Sequence, residues 1–268
     1  MTTTTPGTAI VTGASTGIGA IYADRLARRG HDLVLVARNG ARLEALAERL
    51  RAETGRSVEV MVADLTKSED VARVEQRISD DPSVTMLVNN AGMLLEGETL
   101  DHSPGEIETI IALNITALTR LSAVAGRTFA ARGQGTIVNI ASILGLAFEI
   151  GASIYSASKA FILSFTRALR RELEGKGVRV QVVLPGAVRT EIWERSGRDV
   201  NSYPPEIVMD AGDLVDAALV GLDRDEGVTI PSLADEGQFA AFDGARMAMI
   251  PNLSRREPAA RYRPAESA

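Results

Sequence analysis

Short apolar runs rich in β-branched residues recur along the chain, bounded by turn-forming residues: Thr8–Val11, Leu33–Val36, Val58–Val62, Met86–Val88, Thr136–Ile140 and Val178–Leu184. Runs of this length predict strands buried on both faces. Between them lie stretches with helical spacing, such as Leu43, Leu46, Ala47 and Leu50, or Phe161, Leu163, Phe165 and Leu169. Strict β, α alternation predicts an α/β fold: a parallel sheet with helices on both faces, joined by right-handed crossovers. Ligands then bind beyond the carboxyl ends of the strands. No repeat or linker divides the 268 residues, a routine length for one α/β domain.

Composition narrows the chemistry. A net charge of −6 supplies no basic footprint for nucleic acid. The absence of cysteine excludes disulfides, thiolate catalysis and thiolate zinc sites. Met1–Gly7 is a threonine run without the layout of a secretory signal, and no uninterrupted apolar stretch reaches the roughly 18 residues of a membrane span. The cytoplasm is therefore the expected location. His31, after Gly30, is expected to cap a helix end and His102 to sit in a polar loop, so no catalytic metal is expected.

The first strand runs into Thr12-Gly13-Ala14-Ser15-Thr16-Gly17-Ile18-Gly19 and then a helical pattern. Three glycines in a strand-to-helix turn allow backbone to approach a phosphate, with free N–H groups at the helix N-terminus. A tight turn without a ligand is the alternative. Farther on stand Asp64-Leu65, the run Asn89-Asn90-Ala91-Gly92, Asn114, Ser142, Tyr155, Lys159 and Pro185-Gly186. Tyr155 and Lys159 are four apart and share one helix face.

The loop resembles the TGxxxGIG loop of the short-chain dehydrogenase/reductase family, and the other residues match that family's motifs in order from residue 8 to about 190. The resemblance implies a Rossmann-type doubly wound parallel sheet in a single domain, 1–268. Within it, 7–190 would be the cofactor-binding and catalytic core, 191–250 a substrate-side lid with C-terminal helices, and 251–268 a tail. It implies Tyr155 as the proton carrier, Ser142 holding the substrate oxygen, Lys159 on the nicotinamide ribose and Asn114 holding a water of a proton path. A nearby ammonium favours phenolate, so Lys159 and an oxidised nicotinamide are expected to bring Tyr155 toward neutral pKa, a drop of about 3 units.

The cofactor is expected to touch Gly13, Ser15, Thr16, Gly17, Ile18 and Gly19, then Arg38, Asp64, Leu65, Asn90, Ala91 and Gly92. Toward the nicotinamide it would meet Tyr155, Lys159, Pro185, Gly186, Val188 and Thr190. Asp64 is also readable as a helix N-cap. The second strand ends Val36-Ala37-Arg38-Asn39 with no carboxylate, and an arginine there pairs with a 2′-phosphate, which predicts NADP(H) over NAD(H). Thr16 stands where many NADP-binding relatives carry a second basic residue.

The substrate is expected to be a small carbonyl or secondary alcohol, apolar near its oxygen. Ser142, Leu144, Tyr155 and Trp193 are its predicted contacts, with Met93-Leu94-Leu95 and Ile143–Phe148 as walls and Met247, Met249, Phe239 and Phe242 as core or pocket wall. Glu96, Glu149, Glu191 and Arg189 could instead recognise a charged group. Small residues Ala157, Ala160, Ser164 and Ala168 predict either a two-fold helix interface in a homodimer or homotetramer, or packing on the chain's own sheet. A dinucleotide-binding redox sensor without turnover is the alternative function.

Overall fold

The computed structural model describes residues 6–263 apart from 96, 152 and 196–198. Glu96 and residues 264–268 of the expected tail lie outside the described residues. The chain forms two compact units, Met1–Pro231 and Ser232–Ala268.

In the first unit, β-branched runs form β1 (Thr8–Thr12), β2 (Asp32–Ala37), β3 (Val58–Val62), β4 (Val84–Asn89), β5 (Gly135–Ile140) and β6 (Val178–Val183). Three two-residue strands, β7 (Ala187–Val188), β8 (Val208–Met209) and β9 (Val228–Thr229), were not expected from the sequence. They are too short for a periodic signal. The main sheet is parallel throughout, in the order β3-β2-β1-β4-β5-β6-β9, while β7 and β8 pair separately. Strand order reverses between β1 and β4, and a crevice opens there at the carboxyl ends.

The helices are α1 (Gly17–Arg28), α2 (Gly40–Thr54), α3 (Ser68–Asp80), α4 (Pro104–Ile111), α5 (Leu118–Arg132), α6 (Ser153–Glu172), the four-residue α7 (Ile192–Arg195) and α8 (Ala211–Asp223). Alternate strand residues serve opposite faces. Ala9, Val11, Leu33 and Leu35 pack with Tyr22, Leu26, Leu43, Leu50 and Leu219 of α1, α2 and α8. Ile10, Val34 and Val36 pack with Val74 and Ile78 of α3, Leu121 and Phe129 of α5 and Leu169 of α6. Each fully buried Leu or Phe contributes roughly 1.5–3 kcal/mol. Burial on both faces holds for β1 but fails at β3, where Glu59 and Val62 are exposed because β3 is an edge strand.

The helical stretch Pro104–Arg132 is long and apolar enough to cross a membrane by length and composition, although no uninterrupted apolar run marks it. Leu118, Leu121, Ala125 and Phe129 bury its apolar side in the core. Its middle, Ala112–Ala117, is a π-helical turn that carries Asn114. Such turns are rare and cluster at functional sites.

The second unit contains α9 (Glu236–Met249) and two 3-10 turns, Ile250–Asn252 and Ala260–Tyr262. No residue of α9 is buried, and Phe242, Met247 and Met249 each keep about half their surface exposed, so these residues are not core as expected.

Candidate active site

At the carboxyl ends of β1, β2 and β4 lies a cleft of about 870 Å³. Of the residues expected to touch a cofactor, Gly13, Ser15, Thr16, Gly17, Ile18, Arg38, Asp64, Leu65, Asn90, Ala91, Gly92 and Thr190 line it. The Thr16 side chain makes no capping hydrogen bond to α1 and the first turn of α1 holds no acid, so its N–H groups suit an anion.

The reason for the glycines is partly different from the expected one. A Cβ on Gly13 would come within 2.7 Å of Asn90 Nδ2, and one on Gly19 within 2.3 Å of the Gly13 carbonyl oxygen. These positions are closed by the protein itself before any phosphate arrives. Gly19 is buried and is not among the residues that line the cleft. Gly17 needs its freedom for φ of 54°.

Asn90 is the loop's clasp: its Nδ2 donates to the carbonyls of Thr12 (3.0 Å) and Gly13 (3.2 Å). The Thr12 hydroxyl accepts from the N–H groups of Asn90 and Ala91 and donates to the Val88 carbonyl. Sequence reading passed over Thr12, because its partners lie 76 to 79 positions away. Asp64 accepts from the Thr66 N–H and hydroxyl, while Lys67 occupies the N-cap of α3, so the capping alternative for Asp64 is not what forms.

The cleft leads toward a second group on β5, α6 and the π-helical turn. Ser142 follows β5, buried, its hydroxyl accepting from the Leu144 N–H at 3.1 Å and reaching the Pro185 carbonyl at 3.4 Å. Lys159 lies one turn after the half-buried Tyr155 on α6, with Nζ 5.3 Å from the Tyr155 ring centre and 3.1 Å from the Ile140 carbonyl oxygen that accepts its proton. Gly145 lets the Ile143–Gly145 turn press on α6, since a Cβ there would meet the Lys159 carbonyl group at 2.9 Å. Asn114 accepts from the Met93 N–H at 2.9 Å and donates to the Met93 carbonyl and to Ser158 Oγ. Ser158, which the sequence reading missed, in turn donates to the Tyr155 carbonyl at 2.7 Å. The π-helical turn is thereby tied to the helix that carries the tyrosine.

Burial pushes the Tyr155 phenol up to about 12, with a Ser142 hydrogen bond pulling the other way. Burial also pushes the Lys159 ammonium down to about 8. The chain alone therefore does not poise Tyr155 near neutrality. A fall from about 12 to about 7 requires roughly 7 kcal/mol of differential stabilisation, more than the sequence reading called for, because desolvation has first raised the starting point.

Trp193 Nε1 donates to the Val188 carbonyl at 2.7 Å and its ring packs on Tyr203 at 5.1 Å. Arg42, which the sequence reading did not single out, lines the cleft and pairs with Glu191 at 2.6 Å. The His31 ring does not cap α1 as expected: its Nδ1 lies 3.2 Å from the Gly7 carbonyl oxygen ahead of β1, and only its backbone N–H reaches the helix, at the Leu26 carbonyl.

Residues 7–201 match the family model of the short chain dehydrogenases. The chain belongs to the short-chain dehydrogenase family. A short-chain dehydrogenase from Sphingobium yanoikuyae, solved in complex with NADPH, superposes with a TM-score of 0.93 at 52% identity, covering 96% of this chain and 100% of that one. A bulky-bulky ketone specific alcohol dehydrogenase from Comamonas testosteroni gives 0.90 at 46% identity over 97% of this chain and all of that one. Human 17-beta-hydroxysteroid dehydrogenase type 3 is 38% identical over 184 residues, 68% of this chain. That match spans 59% of the human protein's length. The Rossmann-type sheet of this short-chain dehydrogenase is thus shared with structures of full-length coverage, and Ser142, Tyr155 and Lys159 converge where its sheet ends.

Proposed function

We propose that this short-chain dehydrogenase is an NADP(H)-dependent oxidoreductase acting on a ketone or secondary alcohol. The observation that carries the reading is the convergence of Ser142, Tyr155 and Lys159 beside Gly92, which together with Arg38 lines the glycine-floored cleft. Gly13 to Ile18 and the α1 N-terminus would hold the pyrophosphate, Asp64 and Leu65 the adenine side, and Arg38 the 2′-phosphate. The nicotinamide would supply or accept the hydride at the substrate carbon.

The chain's own residues manage the proton. Ser142 holds the substrate oxygen beside the Tyr155 hydroxyl, which donates its proton during reduction and recovers it through the Lys159 and Asn114 side. A phenol held up near 12 stays protonated at neutral pH and is ready to donate. The Sphingobium relative's NADPH and the missing carboxylate at the end of β2 both support NADP(H).

The substrate class follows from the walls. The partly buried Leu144 closely follows Ser142 and the partly buried Met93, Leu94 and Leu95 follow Gly92, while Leu100, Phe148 and Ile150 are largely exposed. Contact between the Thr99 and Ser153 hydroxyls joins the loops that carry them. Such a rim suits a ketone with two large apolar substituents, as the Comamonas relative's specificity for bulky-bulky ketones supports. Ala157, Ala160, Ser164 and Ala168 are exposed rather than packed on the sheet, which favours a self-complementary helix interface in a homo-oligomer, and we place the protein in the cytoplasm.

Steady-state kinetics with both cofactors on aryl and alkyl ketones, keto acids and sugar phosphates test this reading. NADPH and the bulky ketones should give the highest kcat/KM. Equal use of both cofactors, or a tenfold preference for an anionic substrate, contradicts it.

A further inference from the structure

The outer end of the cleft carries two cations in different situations. Arg38 closes β2 and, among the described residues, has no ion-pair partner. Arg42 is held: its Nη1 lies 2.6 Å from Glu191 Oε2, a residue 149 positions later that lines the same cleft. Asn39 Oδ1 accepts from the Arg42 N–H and so starts α2 between the two arginines. The N-terminus of a 15-residue helix therefore opens between two arginines in sequence, both of which line the cleft.

The pair contributes little to the fold. Its side chains keep 48% and 39% of their surface exposed, a setting in which ion pairs are weak. Its position is what matters, because Glu191 directly follows Thr190, whose side chain touches the glycine loop at Gly17. A phosphate ester presents more charge than a carboxylate and three acceptor oxygens, and it competes well for a planar guanidinium.

We propose that Arg42 is the second cation of the 2′-phosphate subsite and that Glu191 is the resident anion which the phosphate displaces from it. This rests on the NADP(H) reading above. Discrimination between the two cofactors then comes from an exchange of partners on Arg42, added to the direct contact with Arg38. An unphosphorylated ribose has nothing to offer in the exchange and leaves Glu191 in place. Arg42 also fills the need for a second base that Thr16 leaves open in the glycine loop.

The test uses adenosine 2′,5′-bisphosphate and 5′-AMP as probes, titrated calorimetrically into the full chain. The wild type should bind the bisphosphate at least about tenfold more tightly than 5′-AMP, as two charge-assisted contacts imply. Arg42→Gln should lose roughly tenfold for the bisphosphate only. Glu191→Gln should bind it about threefold more tightly, within the range of an exposed ion pair, and should have no effect when Arg42→Gln is already present. An equal gain from Glu191→Gln in both backgrounds means that Glu191 repels the phosphate through space, and overturns the exchange. Full retention of bisphosphate preference by Arg42→Gln overturns it as well, leaving Arg38 as the selector and the NADP(H) reading intact. Equal affinity of the wild type for both probes overturns the NADP(H) reading and the exchange with it.

Discussion

Asp24 on α1 and Lys159 on α6 are buried to the same degree, each residue only 5% exposed. Three guanidinium groups surround Asp24: Arg25 and Arg28 at 2.9 Å and Arg49 at 3.0 Å. Glu53 and Asp216 then pair with the outer sides of the same arginines. Burial pushes the Asp24 carboxyl up, but the arginines more than reverse this and hold it below the usual carboxylate range. Among the described residues, Lys159 meets no carboxylate. Its hydrogen-bond partner is a neutral carbonyl, and burial leaves its ammonium down at about 8.

A buried charge with a full set of counter-ions is a finished structural element. A buried charge without them leaves a free-energy gap that a ligand can close. The two helices therefore mark the difference between a part of the molecule that holds itself together and a part completed by what it binds.

The sharpest way to break this comparison is Tyr155→Phe, which removes the proton carrier and leaves the packing. We expect kcat to fall by about 10² to 10⁴, with NADPH affinity by calorimetry unchanged. More than about a tenth of wild-type kcat in this variant would falsify the role given to the hydroxyl.

Lys159→Met should abolish useful turnover yet stabilise the fold at pH 7 by about 3 kcal/mol, since it relieves a penalty of some 2.5 pKa units. The sign follows from proton counts. Between pH 8 and 10.5 the unfolded lysine binds more protons than the folded one, so wild-type stability rises through that window. The advantage of the variant should therefore shrink from pH 8 to 10.5 in urea titrations, and a constant advantage would show that Lys159 is not held in a desolvated state.

Asp24→Asn should act in the opposite sense, costing about 1–3 kcal/mol at pH 7 without touching kcat. The lowered carboxyl pKa makes the Asp24 contribution complete above the ordinary aspartate range. It is lost as pH falls through the folded-state value, so the variant and wild type should converge in acid melts. Glu53→Gln, at the exposed edge of the same cluster, should change stability by less than about 1 kcal/mol and lose even that in high salt. A larger effect there would mean that the outer ring is needed to hold the inner one.

The proposed catalytic group was legible in the sequence because it matches the family's motifs and its spacing is local. Tyr155 and Lys159 share a helix face at i and i+4, and Ser142 follows a strand that periodicity alone locates. The first six strands were legible for the same reason. Contacts between distant segments were not: the Thr12–Asn90 clasp, the Arg42–Glu191 pair and the Arg49–Asp24 pair each join residues 25 or more positions apart. Asp24 itself reads as an ordinary polar position until α2 brings Arg49 over it. At Gly19 the pattern gives the absence of a Cβ but not what would collide with it, which is the Gly13 carbonyl. Past residue 190 the pattern weakens, and of residues read as core or pocket wall, Met247 and Met249 are not core.

The placement of β1 at the centre of the sheet also constrains the order in which the molecule is made. Thr8–Val11 are synthesised before their partner on one side, Val84–Val88, which follows some 76 residues later. At roughly 5–20 residues per second this leaves β1, fully buried in the finished fold, unpaired on that side for several seconds. The floor of the cleft, clasped by Asn90, cannot exist before then. Chaperone dependence and aggregation during expression should thus be governed by the first third of the chain, well before the tyrosine and lysine are made.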